Sequence, residues 1–397
     1  MQNIIVLEPY VPVPPRRGTL FPKLFSLILP WFLRKTYGIV EYKFEHLERV
    51  QASLKAGHGI LLMPNHCRDE DGLVMGRLSC ELHRWFFYMG SWHVFKLDPV
   101  KSFLLPRLGV YSVYREGADR AAVKTSVDIV AHARRPLVIF PEGFLGRTND
   151  RLNALMEGSG SIARAAARKR AHANPPGQVV IHPVALRYRV LGPLEPGVSP
   201  VMAEIESILK ITSTPGTPLR ERVEQIAAAM LTRYEKEYFG QEQGGSVEDR
   251  RAALLQLILH QLEDEWCGQR YDEESVQSRV RRLRIAIVPV LTQGNIDKAE
   301  HDRRWGHLKA IYLAQQLDNY PPHYLDGEPT PERLLETIER FQEDLTDKVR
   351  PHVPLEVTYT IGEAMVVNPT REGRGSSDPI LLEVERQLRA MLGLAKA

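Results

Sequence analysis

The first half of the chain alternates short apolar runs with amphipathic stretches. Residues 60–63 are continuously apolar and follow Gly57 and Gly59, which suits a buried strand, and Pro64-Asn65 ends it. Residues 85–89, 110–114, 136–140 and 179–190 are the further strand candidates. Helical spacing fills the gaps at 45–56, 73–82, 120–133 and from about Ser159 to Arg170. Strands alternating with helices predict an α/β fold, a mostly parallel sheet flanked by helices. From about Ser199 to Pro351 the pattern changes to long helices, at 219–238, 246–267, 273–284, 298–317 and 330–348. Gly244-Gly245 and Asn319-Tyr320-Pro321-Pro322 mark breaks. Thr330-Pro331-Glu332 reads as a helix start, with threonine as cap and proline at the first position. Residues 355–367 then alternate like a strand, and 378–394 form an amphipathic helix.

The N-terminal part has its own pattern. Residues 9–18 are proline-rich and read as an extended, exposed lead-in. Residues 20–33 are strongly apolar and aromatic and run into Arg34-Lys35. A bilayer span needs about 20 apolar residues, and Lys23 and Pro30 interrupt this shorter run. Apolar residues with basic flanks suit a segment lying in the membrane interface; the alternative is a core helix packed on the sheet. A second aromatic piece, with Trp92, Phe95 and Phe103 among Lys96, Lys101 and Arg107, fits either a membrane-facing or acyl-lining surface or a buried loop and helix.

Composition changes this picture little. At 397 residues, 43% apolar and 25% charged, the chain has the make-up of an ordinary globular protein with room for more than one domain. A net charge of +3 and the lack of a recognition motif give no reason to expect nucleic acid as a partner. The three cysteines, Cys67, Cys80 and Cys267, have neither a disulfide framework nor metal-ligand spacing and fit a reducing compartment. No metal site is expected, because no third ligand is spaced near His66 and Asp71. The opening residues do not read as a secretory signal. The Gly158–Ala163 stretch spells a dinucleotide pattern, but no strand leads into it, so it is set aside.

The candidate chemistry lies in the loop after the first buried strand. His66 precedes Asp71 by five residues. On one helix two such side chains diverge by about 140°, so they meet only if the histidine is in the loop and the aspartate opens the helix, as its N-cap before Leu73. A histidine held by a carboxylate has one ring nitrogen fixed as donor and the other left to accept a proton, which makes it a general base. Cys67 beside it reads as a packing residue, since adjacent side chains point apart and a catalytic cysteine needs a base aimed at it.

Four blocks, in order, carry a resemblance. Asn65-His66 with Asp71 resembles the NHxxxxD motif of the glycerolipid acyltransferases, the family of lysophosphatidic acid and glycerol-3-phosphate acyltransferases, here of the bacterial type. Gly109 to Arg115 resembles the second block, Phe140-Pro141-Glu142-Gly143 matches the third, and Val180 to Ala185 resembles the fourth. They cover residues 59–188, roughly a third of the chain. Two departures stand out. Arg68 replaces a usual serine or threonine, and Phe144-Leu145-Gly146 replaces the Thr-Arg-Ser that follows the third block and helps hold an acceptor phosphate.

The resemblance implies that His66 deprotonates an acceptor hydroxyl and Asp71 supports the imidazolium. It implies Arg115 as a phosphate ligand and Glu142 and Gly143 as shaping the acceptor pocket beside Asn65, with Arg147 and Arg68 as substitute anion ligands. It implies acyl-CoA or acyl carrier protein as co-substrate with no other cofactor, a lysophosphatidic acid or related glycerophospholipid acceptor, and a peripheral or monotopic place on the cytoplasmic face of the membrane. Ile361-Gly362-Glu363-Ala364 resembles a phrase that closes the family's sheet. The expected organisation is therefore a lead and interfacial segment (1–39), an acyltransferase domain (40–198), a helical insert (199–351), and a returning strand and helix (352–397). Two other readings stand beside it: the same chemistry on a non-phosphate acceptor, and a lipid-binding scaffold without catalysis.

Overall fold

The structure is a computed structural model that describes residues 8–214, 216–294, 296–348, 350–370 and 378–394. The first seven residues, read above for a secretory signal, lie outside the described residues. The chain divides into two compact units, one made of Tyr10–Leu191 with Pro354–Ala397 and the other centred on Gly192–Val353.

The first unit is the α/β layer. It runs α1 (Leu20–Tyr37), β1 (Ile39–Glu45), α2 (Leu47–Lys55), β2 (Gly59–Pro64), α3 (Asp71–Glu81), β3 (Phe87–Ser91), a 3-10 turn at Trp92–Lys96, α4 (Pro99–Arg107), β4 (Val110–Val113), α5 (Arg120–His132), β5 (Leu137–Val138), α6 (Glu157–Ala171) and β6 (Val179–Val190). The strand order is β1-β7-β6-β2-β5-β3-β4, where β7 is Leu355–Ile361 and a short β8, Met365–Val366, pairs with β6. β7 is antiparallel to β6 and β8 likewise; the other pairs are parallel. The fold is thus a mostly parallel sheet flanked by helices, with many further helices.

β2 is central, with Leu61 opposite Ile181 of β6 and Leu137 of β5, and all six of its residues are buried. Strands buried on both faces read as nearly unbroken apolar runs, which is why 60–63 is wholly apolar and 179–186 is interrupted by one polar residue, His182. One face carries Leu61, Met63, Val179 and Ile181 against Ile129 and Val130 of α5, Ala163 and Ala166 of α6, and Val384 and Leu388 of the C-terminal helix. Tyr359 of β7 donates to the Val74 carbonyl at 2.8 Å, tying α3 to the sheet.

Several elements depart from expectation. β5 pairs over only two residues, since Pro136 has no N–H to give; its carbonyl accepts from the Phe87 N–H (2.8 Å), and the Ile139 N–H donates to the Leu62 carbonyl (3.1 Å). The 355–367 stretch is two strands, because the Gly362 N–H turns aside to the Pro183 carbonyl (2.8 Å). The proline-rich lead is extended and also pinned. Val13 N–H donates to Ser112 Oγ (2.8 Å), Ser112 N–H donates to the Val13 carbonyl (3.0 Å), and the Tyr10 hydroxyl donates to Asp119 (2.6 Å). β4 is an edge strand, and the lead covers its open rim.

The second unit contains α7 (Leu194–Leu209), α8 (Leu219–Tyr238), α9 (Val247–Trp266), α10 (Val276–Gln293), α11 (Lys298–Asp318) and α12 (Pro331–Thr346). Its core joins Leu254, Ile258, Leu283, Ile287, Ile311 and Ala314. Two buried carboxylate–guanidinium pairs fix helix register, Glu235–Arg250 at 2.6 Å and Glu263–Arg279 at 2.7 Å. α12 begins as expected, with Thr330 accepting from the Arg333 N–H. α13 (Pro379–Leu392) closes the chain in the first unit, packed on β6.

Candidate active site

The site is built where β2 ends. Pro64 closes the strand, and the Asn65 side chain takes over as a substitute rung of the sheet. Its Nδ2 donates to the Leu186 carbonyl (3.0 Å) and its Oδ1 accepts from the Leu186 N–H (2.7 Å). Asn149 does the same one pleat along, donating to the Tyr188 carbonyl and accepting from its N–H, both at 3.0 Å. Two asparagines thus hold loop segments against β6 where no strand continues.

His66 is fixed from its backbone outward. Its N–H donates to Glu142 Oε1 (2.7 Å) and its carbonyl accepts from Gly146 N–H (2.8 Å). Its ring stacks on Phe140 with centroids 4.2 Å apart. Nδ1 lies 2.9 Å from Asp71 Oδ2. A carboxylate oxygen only accepts, so Nδ1 carries the proton and Nε2 bears the lone pair. The His66 side chain is 23% exposed and that of Asp71 is not exposed at all. One nitrogen therefore faces a buried anchor on a residue that solvent can reach.

Asp71 is not the N-cap expected from the sequence. Glu70 holds that position without a side-chain cap bond, and Asp71 is the first residue of α3. Its carboxylate turns back toward the loop instead. Oδ2 accepts from the backbone N–H of Cys67 (2.8 Å) and of Arg68 (2.9 Å) as well as from His66, and Oδ1 accepts from the Tyr188 hydroxyl (2.6 Å). Cys67 serves through its backbone, while its buried Sγ packs beside Asn65 and Asn149.

The other sequence candidates surround this pair. Glu142 is buried, and its Oε2 accepts from the backbone and side chain of Asn153 at 2.9 and 2.7 Å. Burial pushes its carboxyl up, and the bonds from Asn153 and His66 pull it back. Gly143 follows at φ +74°, where a Cβ would come within 2.0 Å of Met156 Sδ. The Arg115 guanidinium donates to the Gly143 carbonyl, which brings the second and third blocks together. Arg147, at φ +55°, turns its guanidinium to Asp69, 3.7 Å away. Arg68 pairs with Glu70 at 2.7 Å and lies over the Tyr188 ring, 5.3 Å from its centroid. Burial drives Glu70 up to about 7, against the pull of Arg68 and with a push from Asp71.

Tyr188, Asn149 and Asn153 complete the site without having been singled out from the sequence, and Phe140, quoted there only as part of the third block, is the ring under His66. Among the described residues no three His, Cys, Asp or Glu side chains are grouped to hold a metal ion.

Fold and site together define an α/β domain with a histidine–aspartate dyad at the carboxyl end of a central parallel strand. Residues 41–187 of this domain match the family model described as Acyltransferase, which supports acyl transfer as the general reaction. No curated protein matches the chain.

Proposed function

We propose that the protein moves a fatty acyl group from an acyl thioester, on coenzyme A or acyl carrier protein, to a hydroxyl of lysophosphatidic acid or a related glycerophospholipid. The observation that carries this reading is the dyad, Nδ1 of His66 at 2.9 Å from Asp71 with Nε2 left to accept a proton. The acceptor O–H gives its proton to Nε2 as its oxygen bonds to the acyl carbon. The carbonyl C–S bond then breaks, and the departing thiolate takes the proton back from the imidazolium. Asp71, accepting from Nδ1–H, stabilises the imidazolium between these steps. Arg115, beside the Gly143 carbonyl, and Arg147, beside Asp69, supply positive charge for an acceptor phosphate.

The same reading places the protein on the cytoplasmic face of a membrane. α1 buries Leu29 and Leu33 and leaves Leu24, Leu27 and Trp31 exposed, Leu27 by 77% and Trp31 by 65%. Phe21 of α1 meets Phe103 of α4 edge to face at 5.9 Å, and Val100 and Phe103 add to the apolar surface. Arg107 lies over the Phe21 and Phe103 rings, and Lys23, Arg34, Lys35 and Lys101 flank these apolar residues in sequence. No described helix is long and apolar enough to cross a membrane. An exposed apolar face with a basic border suits a helix lying at the lipid headgroups.

The test is product identification by mass spectrometry after incubation with palmitoyl-CoA and one acceptor at a time. Phosphatidic acid formed from lysophosphatidic acid is the expected product. A second reading follows from Phe144-Leu145-Gly146, which removes polar groups next to the third block. If a long-chain alcohol or diacylglycerol is acylated and lysophosphatidic acid is not, that second reading replaces the first.

A further inference from the structure

We infer that Tyr188 is the positioning residue of the dyad, with Arg68 acting through it. The inference rests on the reading of His66 as proton acceptor, and it concerns how that histidine is aimed. Three of the four donors on Asp71 meet Oδ2, namely His66 Nδ1 and the N–H groups of Cys67 and Arg68. Donors on one oxygen locate that oxygen but leave the carboxylate free to swing about it. The Tyr188 hydroxyl, on Oδ1 at 2.6 Å, is the bond that fixes the plane. With both oxygens fixed, the line from Oδ2 to Nδ1 is fixed, and so is the direction of Nε2.

Tyr188 is built for this task. It is buried on β6, and the Asn149 amide bonds both its carbonyl and its N–H. Arg68 covers its ring at 5.3 Å, and Glu70 holds the guanidinium at 2.7 Å. A cation over a phenol ring is attracted to the ring face and draws electron density from the hydroxyl, making it a better donor. Burial and the nearby carboxylates of Asp71 and Glu70 hold the phenol far above its ordinary range, so it remains a donor. The arginine at position 68 thereby has a role that a serine or threonine lacks.

The experiment is nitrogen-15 NMR of imidazole-labelled protein, with the His66 signals assigned by their loss in His66→Ala. The wild type is expected to show His66 as the Nδ1–H tautomer. In Tyr188→Phe the Nε2–H tautomer becomes populated, and kcat falls about tenfold, the size of one lost bond to a charged group, while KM stays within about twofold. Tyr111→Phe, which removes a buried hydroxyl bonded to Ser126 in the same unit, leaves the His66 signals unchanged. Arg68→Leu removes the cation and keeps the hydroxyl, so it shows the same tautomer change to a smaller extent, and it is the deciding variant if Tyr188→Phe does not fold. Wild-type His66 signals in Tyr188→Phe, or in Arg68→Leu where that variant decides, overturn the inference. The NMR result stands whether or not any tested acceptor is turned over, so failure of the acceptor assignment is seen separately.

Discussion

The carboxylate of Glu142 accepts a hydrogen bond from the backbone N–H of His66 at 2.7 Å, across 76 residues of sequence. With Gly146 N–H on the His66 carbonyl, the third block grips the first block by its main chain. Glu142 is thus a strut under the histidine, with its other oxygen spent on Asn153. Glu142→Gln keeps one acceptor for His66 but turns an amide N–H₂ toward the two Asn153 donors. The expected cost is about 1–3 kcal/mol of stability, the penalty for unsatisfied buried polar groups, with a fall in kcat because the His66 loop shifts. Denaturant unfolding beside steady-state kinetics measures both.

Gly143 is required by backbone and by space. At φ +74° a side chain is strained, and a Cβ would overlap Met156 Sδ. Gly143→Ala is expected to cost about 1–3 kcal/mol. Adding Met156→Ala relieves the overlap and leaves the backbone strain, so the double variant recovers part of the loss in the same unfolding assay.

Two buried groups give opposite pH dependences of stability. Glu70 rises from 4.5 to about 7 in the folded protein, because burial outweighs the pull of Arg68. Its contribution is complete below pH 4.5 and is lost as the pH rises through about 7. Glu70→Gln removes that dependence, so the melting temperature of wild type relative to the variant falls between those limits. His182 lies in the core between Ser53 and the Gly362 carbonyl, and burial lowers its pKa from 6.5. Its contribution stands above pH 6.5 and is lost as the pH falls toward the folded value. His182→Gln therefore gains on wild type at the acid end. A thermal scan from pH 4.5 to 7.5 on the three proteins reads both signs.

The exposed apolar face of α1 predicts lipid binding that depends on a few side chains. Leu27→Ala with Trp31→Ala removes mostly exposed surface, so the melting temperature changes little. Burying side chains of this size contributes about 1.5–3 kcal/mol each, so sedimentation with phosphatidylglycerol-containing vesicles is expected to weaken about tenfold or more. Unchanged sedimentation removes α1 from the membrane surface.

The parts of this fold that can be read from sequence are those whose signal is local and strong. β6 spans residues 179–190, as expected from an apolar run that gives way to the alternation of Arg187, Tyr188, Arg189 and Val190, and α8 spans 219–238 as its spacing says. α10 is less legible. Its helical pattern breaks near Arg284, yet the helix continues to Gln293 with Pro289 inside its last turns, because Ile287, Val288 and Leu291 have a core to enter. β1 alternates Val40, Tyr42 and Phe44 with charged residues, but its partner β7 starts at Leu355, and nothing near residue 39 announces that pairing. The site divides in the same way. The five-residue spacing of His66 and Asp71 is visible in the sequence. Tyr188 stands 117 residues from the carboxylate it meets, and Asn149 is an ordinary loop asparagine until β6 lies beside it.

The measurement that tests the account most directly is single-turnover cleavage of palmitoyl-CoA by full-length protein on phospholipid vesicles, with and without lysophosphatidic acid, for wild type and His66→Ala. Wild type is expected to cleave the thioester only when the acceptor is present, and the variant to lose about 10²- to 10⁴-fold of that rate, the range of a missing general base. Acceptor-dependent cleavage at the wild-type rate in His66→Ala would contradict the dyad as the centre of the chemistry.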